Sequence, residues 1–122
     1  MFCLSENGII RFTRGDTIEI PITIYDGNAV NYHRYKLKDK DELYFGIMEP
    51  NQFFEDAIVR KKCTALDMNE DGDIFITLSP DESEYLLPGL YYYQVKVRLY
   101  NSTTNEYSVN TILPKTQLWI EE

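Results

Sequence analysis

Two stretches of this chain alternate apolar and polar side chains with a period of two, and that rhythm limits the fold more than any other feature. In residues 17–25, Ile18, Ile20, Ile22 and Ile24 fall on one side, with Thr17, Glu19, Pro21 and Thr23 on the other. In residues 91–100, Tyr91, Tyr93, Val95, Val97 and Leu99 alternate with Tyr92, Gln94, Lys96, Arg98 and Tyr100. Successive side chains of a strand point to opposite faces, so each stretch predicts a strand with one greasy face. Such faces are stable when sequestered between two pleated layers. Pro21 has no N–H to give a ladder, which predicts an edge position or a bulge. The Tyr-rich strand is expected to be the longest in the chain and a candidate for an exposed edge.

Shorter signals fill the rest. Ile10 and Phe12 give a brief strand, and Arg14, Gly15 and Asp16 turn into the next. Residues 26–41 are polar and follow neither period, so they read as a long loop. Leu43, Phe45 and Ile47 resume the alternation, Pro50 and Asn51 stop it, and Ala57, Val59 and Lys61 form another strand. The pair Asp71, Gly72 suits the positive dihedrals of a hairpin connection, after which Ile74, Ile76 and Leu78 share a face. Ser79 can cap, Pro80 suits a first helical position, and Asp81 and Glu82 complement an N-terminal dipole; a short helical turn is expected near residues 80–86. Residues 101–105 supply a hairpin loop, Tyr107 and Val109 lie on the returning strand, and Leu118 and Ile120 follow a kink at Pro114.

Seven or eight short strands with no long helical period predict an all-β fold, an antiparallel sandwich or barrel, with the immunoglobulin-like sandwich preferred. Leu86, Pro88, Gly89, Tyr91 and Tyr93 resemble the corner entering strand F of immunoglobulin-like domains, where a Tyr hydroxyl ties the corner to the backbone. Tyr91 is the candidate for that structural corner, and Tyr93 then takes the core position that cysteine holds in antibody domains.

A chain of 122 residues has the length of one domain, so residues 1–122 are expected to form a single β-sandwich around one core. Hydrophobic and aromatic fractions of 43% and 14% exclude a disordered chain. No apolar run approaches a membrane span, and the first ten residues lack the basic start and apolar stretch of a signal peptide. The expectation is a protein that is soluble and cytoplasmic when synthesised, with no membrane partner and with Cys3 and Cys63 as free thiols. A formal charge of −8, with twelve Lys and Arg scattered apart from the run Arg60, Lys61, Lys62, disfavours nucleic acid.

The sharpest local motif is Asp67, Asn69, Asp71, Gly72, Asp73, which follows the first positions of an EF-hand calcium loop. Leu78 stands where the bidentate Glu should be, and the flanks read as strand, so a tight acidic turn is the preferred reading and no metal is expected. His33 is the lone histidine and is expected to be an exposed loop residue, which leaves no Ser or Cys triad. The carboxylate pairs Glu82 with Glu84 and Glu49 with Glu55 read as solvated, and no phosphate loop or Cys-x-x-Cys occurs. No cofactor and no catalytic residue are expected. Arg14-Gly15-Asp16 spells a tripeptide that some adhesion receptors bind, although the turn explains it fully. Asn101-Ser102-Thr103 matches a glycosylation acceptor and reads as loop. The outward aromatics Tyr92, Tyr100, Tyr107 and Trp119 are the candidate binding surface, for protein or for carbohydrate, with cross-strand packing as the plainer alternative.

In sequence order, Arg14-Gly15-Asp16-Thr17, an Ile-rich strand, Leu43-Tyr44-Phe45, Ala57-Ile58-Val59, Gly72-Asp73-Ile74, Leu78, Pro80-Asp81-Glu82, Leu87-Pro88-Gly89 and Tyr91-Tyr92-Tyr93 follow one another. This order resembles the small β-sandwich structural proteins of phages and prophages of low-GC Gram-positive bacteria, and is similar to the N-terminal domain of the upper baseplate protein. Residues 28–40 and 113–122 have no counterpart in it. The resemblance implies a non-catalytic structural or adaptor role in a virion tail or baseplate, with other protein subunits as partners, self-association included. The alternative is a carbohydrate-binding sandwich that uses the surface aromatics.

Overall fold

The computed structural model describes residues 2–4, 8–27 and 31–122. Its strands are β1 (Phe2–Leu4), β2 (Ile10–Thr13), β3 (Ile18–Gly27), β4 (Tyr32–Arg34), β5 (Glu42–Met48), β6 (Val59–Thr64), β7 (Asp73–Leu78), β8 (Gly89–Asn101) and β9 (Glu106–Glu121), with one α-helical turn, α1 (Pro80–Tyr85). Two 3-10 turns, Phe54–Asp56 and Ala65–Asp67, flank β6. Seven of the described strands have four residues or more, and β1 and β4 have three each.

The strands form two sheets. One places β1, β4 and β7 around β3, and the other runs β2-β9-β8-β5-β6. Among the described residues every strand pairing is antiparallel except β2 with β9. The chain crosses between layers from β1 to β2, from β2 to β3, from β4 to β5, from β6 to β7 and from β7 to β8. With β3 and β7 paired in one layer and β5, β8 and β9 adjacent in the other, this is an immunoglobulin-like β-sandwich.

The core is the set of faces that the period-two pattern singles out. Ile18, Ile20, Ile22 and Ile24 of β3 and Ile74, Ile76 and Leu78 of β7 face Leu43, Phe45 and Ile47 of β5 and Tyr91, Tyr93, Val95 and Val97 of β8, in one buried cluster. Tyr91 donates its hydroxyl to the Leu87 carbonyl at 2.9 Å, which is the corner tie expected of it. Tyr93 is buried against Phe45, and its hydroxyl donates to the Gly8 carbonyl. Cys63 is a buried free thiol that desolvation holds above its ordinary pKa; the Cys3 side chain lies outside the described residues.

Pro21 lies opposite Phe75 in a register that runs unbroken from Ile18 to Thr23, so it is not bulged. That part of β3 pairs with β7 alone among the described residues, so the missing N–H is accommodated on an open edge.

Helix α1 begins as its sequence dictates. Ser79 Oγ accepts from the Glu82 N–H while Glu82 Oε1 accepts from the Ser79 N–H, a reciprocal capping box. Buried Ser83 accepts from the Gly15 N–H and donates to the Asp16 carbonyl, and Arg14 Nε donates to the Glu84 carbonyl. The Arg14-Gly15-Asp16 segment is thus a turn clasped by α1, with Gly15 at φ +88°.

Several expectations need correction. Residues 26–41 are not a continuous loop: Tyr32–Arg34 folds back on Tyr25–Gly27, which carries exposed His33 into β4. Residues 28–30 of that loop lie outside the described residues. A buried carboxylate explains how the rest is held. Asp41 Oδ2 accepts from the Tyr35 hydroxyl and the Lys38 N–H, and Oδ1 accepts from the Tyr100 N–H at 2.9 Å. The Tyr-rich strand β8 has no exposed edge over most of its length, since it lies between β5 and β9, and β9 is longer. Pro114 does not end a strand. It falls where the β8–β9 register shifts, and a bulge lets β9 continue through it. Ala57 belongs to the end of a 3-10 turn, and β6 begins at Val59. Finally, β6 and β7 lie in different sheets, so the turn at Gly72, φ +87°, sits on a crossover and not in a hairpin between them. Among the described residues no helix is long and apolar enough to cross a membrane.

Candidate functional site

Registered partners in a sheet share a face, so the ladders show what the five-stranded sheet turns outward. Tyr100 lies opposite Tyr107, Arg98 opposite both Val109 and Glu42, Lys96 opposite Tyr44, and Trp119 opposite both Leu90 and Arg11. Tyr92, Tyr100, Tyr107 and Trp119 therefore do lie on one face of one sheet. They occupy its two ends: Tyr92 is eight positions from Tyr100 along β8, roughly 26 Å in a strand.

Cations fill the space between and over these rings. Arg98 lies 3.8 Å from the Tyr107 ring centre, Lys40 4.4 Å from that of Tyr100, and Arg11 5.4 Å from that of Trp119. Tyr100 and Tyr107 pack on each other at 5.1 Å, tilted by 59°. Phe54, delivered by a 3-10 turn, lies over Gly46 and takes Lys96 at 4.7 Å from its ring centre. Each such contact favours the ring face electrostatically, by about 0.5–1 kcal/mol at exposed positions.

Glu42 is the inner counter-ion of the face. Its carboxylate reaches Lys62 on one side and Arg98 on the other. The Lys62 hydrogen bond, opposed by desolvation, holds Glu42 below the ordinary carboxylate range, and the same bond raises Lys62. Arg11 pairs with Glu121 at the rim. The face thus carries Arg11, Arg60, Lys62, Lys96 and Arg98 against Glu42 and Glu121, in a chain of formal charge −8. Scattered in sequence, these five cations are gathered by the fold. The signal for Lys96 and Arg98 was present in their shared phase with Tyr92 and Tyr100; for Arg11, Arg60 and Lys62 the strand order was needed.

The other candidates fall elsewhere. Asp67 Oδ2 accepts from the Thr64 N–H, Asn69 Oδ1 accepts from the N–H groups of Asp71 and Asp73, and Asp73 accepts from the Thr23 hydroxyl. These side chains organise the turn that carries them. Among the described residues no group of three or more His, Cys, Asp or Glu is placed to hold a metal ion. Glu82 is not merely solvated: besides its capping role it is ion-paired with Lys61, and that hydrogen bond lowers its pKa. Glu49, Glu55 and Glu84 are exposed, and Asn101 closes a turn by accepting from the Thr103 N–H at the exposed tip of the β8–β9 hairpin. A cleft of about 500 Å³ lies along the seam between β2 and the open edge of β3, with Tyr93 and Val95 among its lining residues.

Fold and face together define an immunoglobulin-like sandwich with a basic, aromatic sheet surface. No family model and no curated protein matches the chain. It is similar to the crystal structure of AggA, the major subunit of aggregative adherence fimbriae type I from Escherichia coli, with 8% identity over 98% of this chain and 93% of that one. The TM-score of 0.37 is too low for the likeness to carry an argument.

Proposed function

We propose that this chain is a non-catalytic structural or adaptor domain that assembles through protein contacts, a component of the phage or prophage tail or baseplate type. The observation that carries the proposal is the outward face of β2-β9-β8-β5-β6. Arg and aromatic side chains are the types enriched where protein surfaces meet, and here they share the outer face of one sheet, half-buried at Tyr92, Arg98, Tyr100 and Trp119 and exposed at Arg11, Arg60 and Tyr107. The order of sequence motifs supports the phage-like context. A basic face on an acidic protein suits an acidic subunit surface and steers its approach.

Co-expression with the products of the neighbouring genes, followed by sedimentation, tests this. A stable complex that is lost on Arg98→Glu supports it, with the folded state checked by circular dichroism. Failure of the wild-type protein to join any such product overturns it. A carbohydrate module would stack sugars on open ring faces, yet one face each of Trp119, Tyr100 and Tyr107 already carries a cation. Saturable glycan binding lost on Trp119→Ala would favour that module instead.

A further inference from the structure

Strand β9 outruns its neighbours. On one side β8 accompanies it throughout, but on the other β2 pairs only with Leu118–Glu121. Among the described residues nothing pairs with 106–117 on that side. Towards the hairpin tip, among the described residues, β8 has no strand partner but β9 beyond Arg98, so the two strands run on past the end of β5.

Natural edges of this kind are blunted by charge, proline or a bulge, because a row of unpaired N–H and C=O groups is a template for another strand. The far half of this edge is so protected, by Pro114, its bulge and Lys115. The near half is not. From Tyr107 to Leu113 the sequence reads Tyr, Ser, Val, Asn, Thr, Ile, Leu, with no charge, in a chain of which 26% of residues are charged. Val109 stands 65% exposed in the middle of it.

We infer that this edge is the contact through which two copies of the chain pair, β9 against β9, antiparallel about Val109. The inference deepens the assembly reading above and rests on it. A second copy fits because the segment is complementary to itself about that residue. Val109 meets Val109 of the other copy, Ser108 meets Asn110, and Tyr107 meets Thr111: β-branched on β-branched, hydroxyl on amide, aromatic on β-branched. Glu106 comes opposite Ile112, so no two like charges face each other although each copy has a formal charge of −8. A basic or acidic partner would find no charge on this edge to read. A closed two-fold pairing also consumes both edges and does not propagate. The short edge buries less surface than a standard interface, so the dimer is weak, with a dissociation constant of about 1–100 µM.

Sedimentation velocity of the full chain, from low to high micromolar concentration, should show a reversible monomer–dimer equilibrium. Val109→Lys sets two ammonium groups against each other at the axis and should leave a monomer; because the new side chain also faces Arg98 across the β8–β9 ladder, circular dichroism checks that the chain stays folded. Val109→Cys in a Cys3→Ser background should form a disulfide-linked dimer on mild oxidation, since directly opposed strand residues lie within disulfide reach. Ser102→Cys, at the hairpin tip, should not. A wild-type chain that stays monomeric throughout, or a dimer untouched by Val109→Lys, overturns the inference. A monomer that still binds neighbouring gene products would refute the edge pairing alone, and a Val109-dependent dimer that binds none would refute the particle role alone.

Discussion

Asp41 offers the sharpest energetic test of how the sandwich is held. Asp41 is 1% exposed, yet among the described residues no cation is paired with its carboxylate; three donors from two segments surround it. The Tyr100 N–H belongs to β8, two residues past Arg98, the last residue of that strand paired with β5, so Asp41 continues the bonding where β5 has run out. Asp41→Ala removes both acceptor oxygens and so all three hydrogen bonds. A hydrogen bond to a charged group contributes about 1.5–3 kcal/mol, and water can reach the exposed Lys38 N–H more readily than the other two donors. The expected loss is about 3–5 kcal/mol, a large part of a typical domain's stability of about 5–15 kcal/mol. Asp41→Asn keeps one good acceptor but turns an NH2 towards a donor, and should cost about 2 kcal/mol. Urea unfolding of the two variants measures both, and amide exchange should show Tyr100 losing protection more than Val95. A cost below about 1 kcal/mol for Asp41→Ala would refute the claim that this carboxylate organises the segment.

Further outcomes follow from other residues. Tyr91→Phe removes only the hydroxyl bonded to Leu87 and should lower stability by about 1 kcal/mol, read as a shifted thermal midpoint. Tyr35, Tyr91 and Tyr93 are all raised above the ordinary phenol value, first by desolvation and for Tyr35 next by Asp41. An unfolded chain then releases these protons first, so stability is complete below about pH 10 and falls as pH rises beyond it; an ultraviolet titration should show phenolate appearing together with unfolding. Glu42 and Glu82 are lowered, chiefly by Lys62 and Lys61, so their stabilisation holds above about pH 4.3 and is lost as pH falls through the folded values. Glu42→Gln should make the acid limb of a stability–pH curve shallower, and an unchanged limb would deny the pairing a role.

The inner faces of β3, β5, β7 and β8 were legible because burial on one side leaves a two-residue period that depends on nothing beyond the strand itself. The capping box at Ser79 and Glu82 and the corner at Tyr91 were legible because each spans only a few residues. Three kinds of information were not local. Strand order decided that Arg11, Arg60 and Lys62 join Lys96 and Arg98 on one surface. Long-range pairing made residues 32–34 a strand through Tyr25–Gly27, where polar composition alone reads as loop. A compensating bulge let β9 pass Pro114, which in a regular ladder would have stopped it. The four aromatics of the candidate surface came from phase within β8 and β9, while the cations over their rings came from the fold.

The seat of Phe54 on Gly46 leaves a mark that related chains should preserve. A methyl at position 46 would come within 2.9 Å of the Phe54 ring and 3.1 Å of Ala57, so the ring rests on bare β5 backbone. Positions 46 and 54 are therefore free to drift only in concert: descendants that acquire a side chain at the first should have surrendered the aromatic at the second, and with it the perch for Lys96.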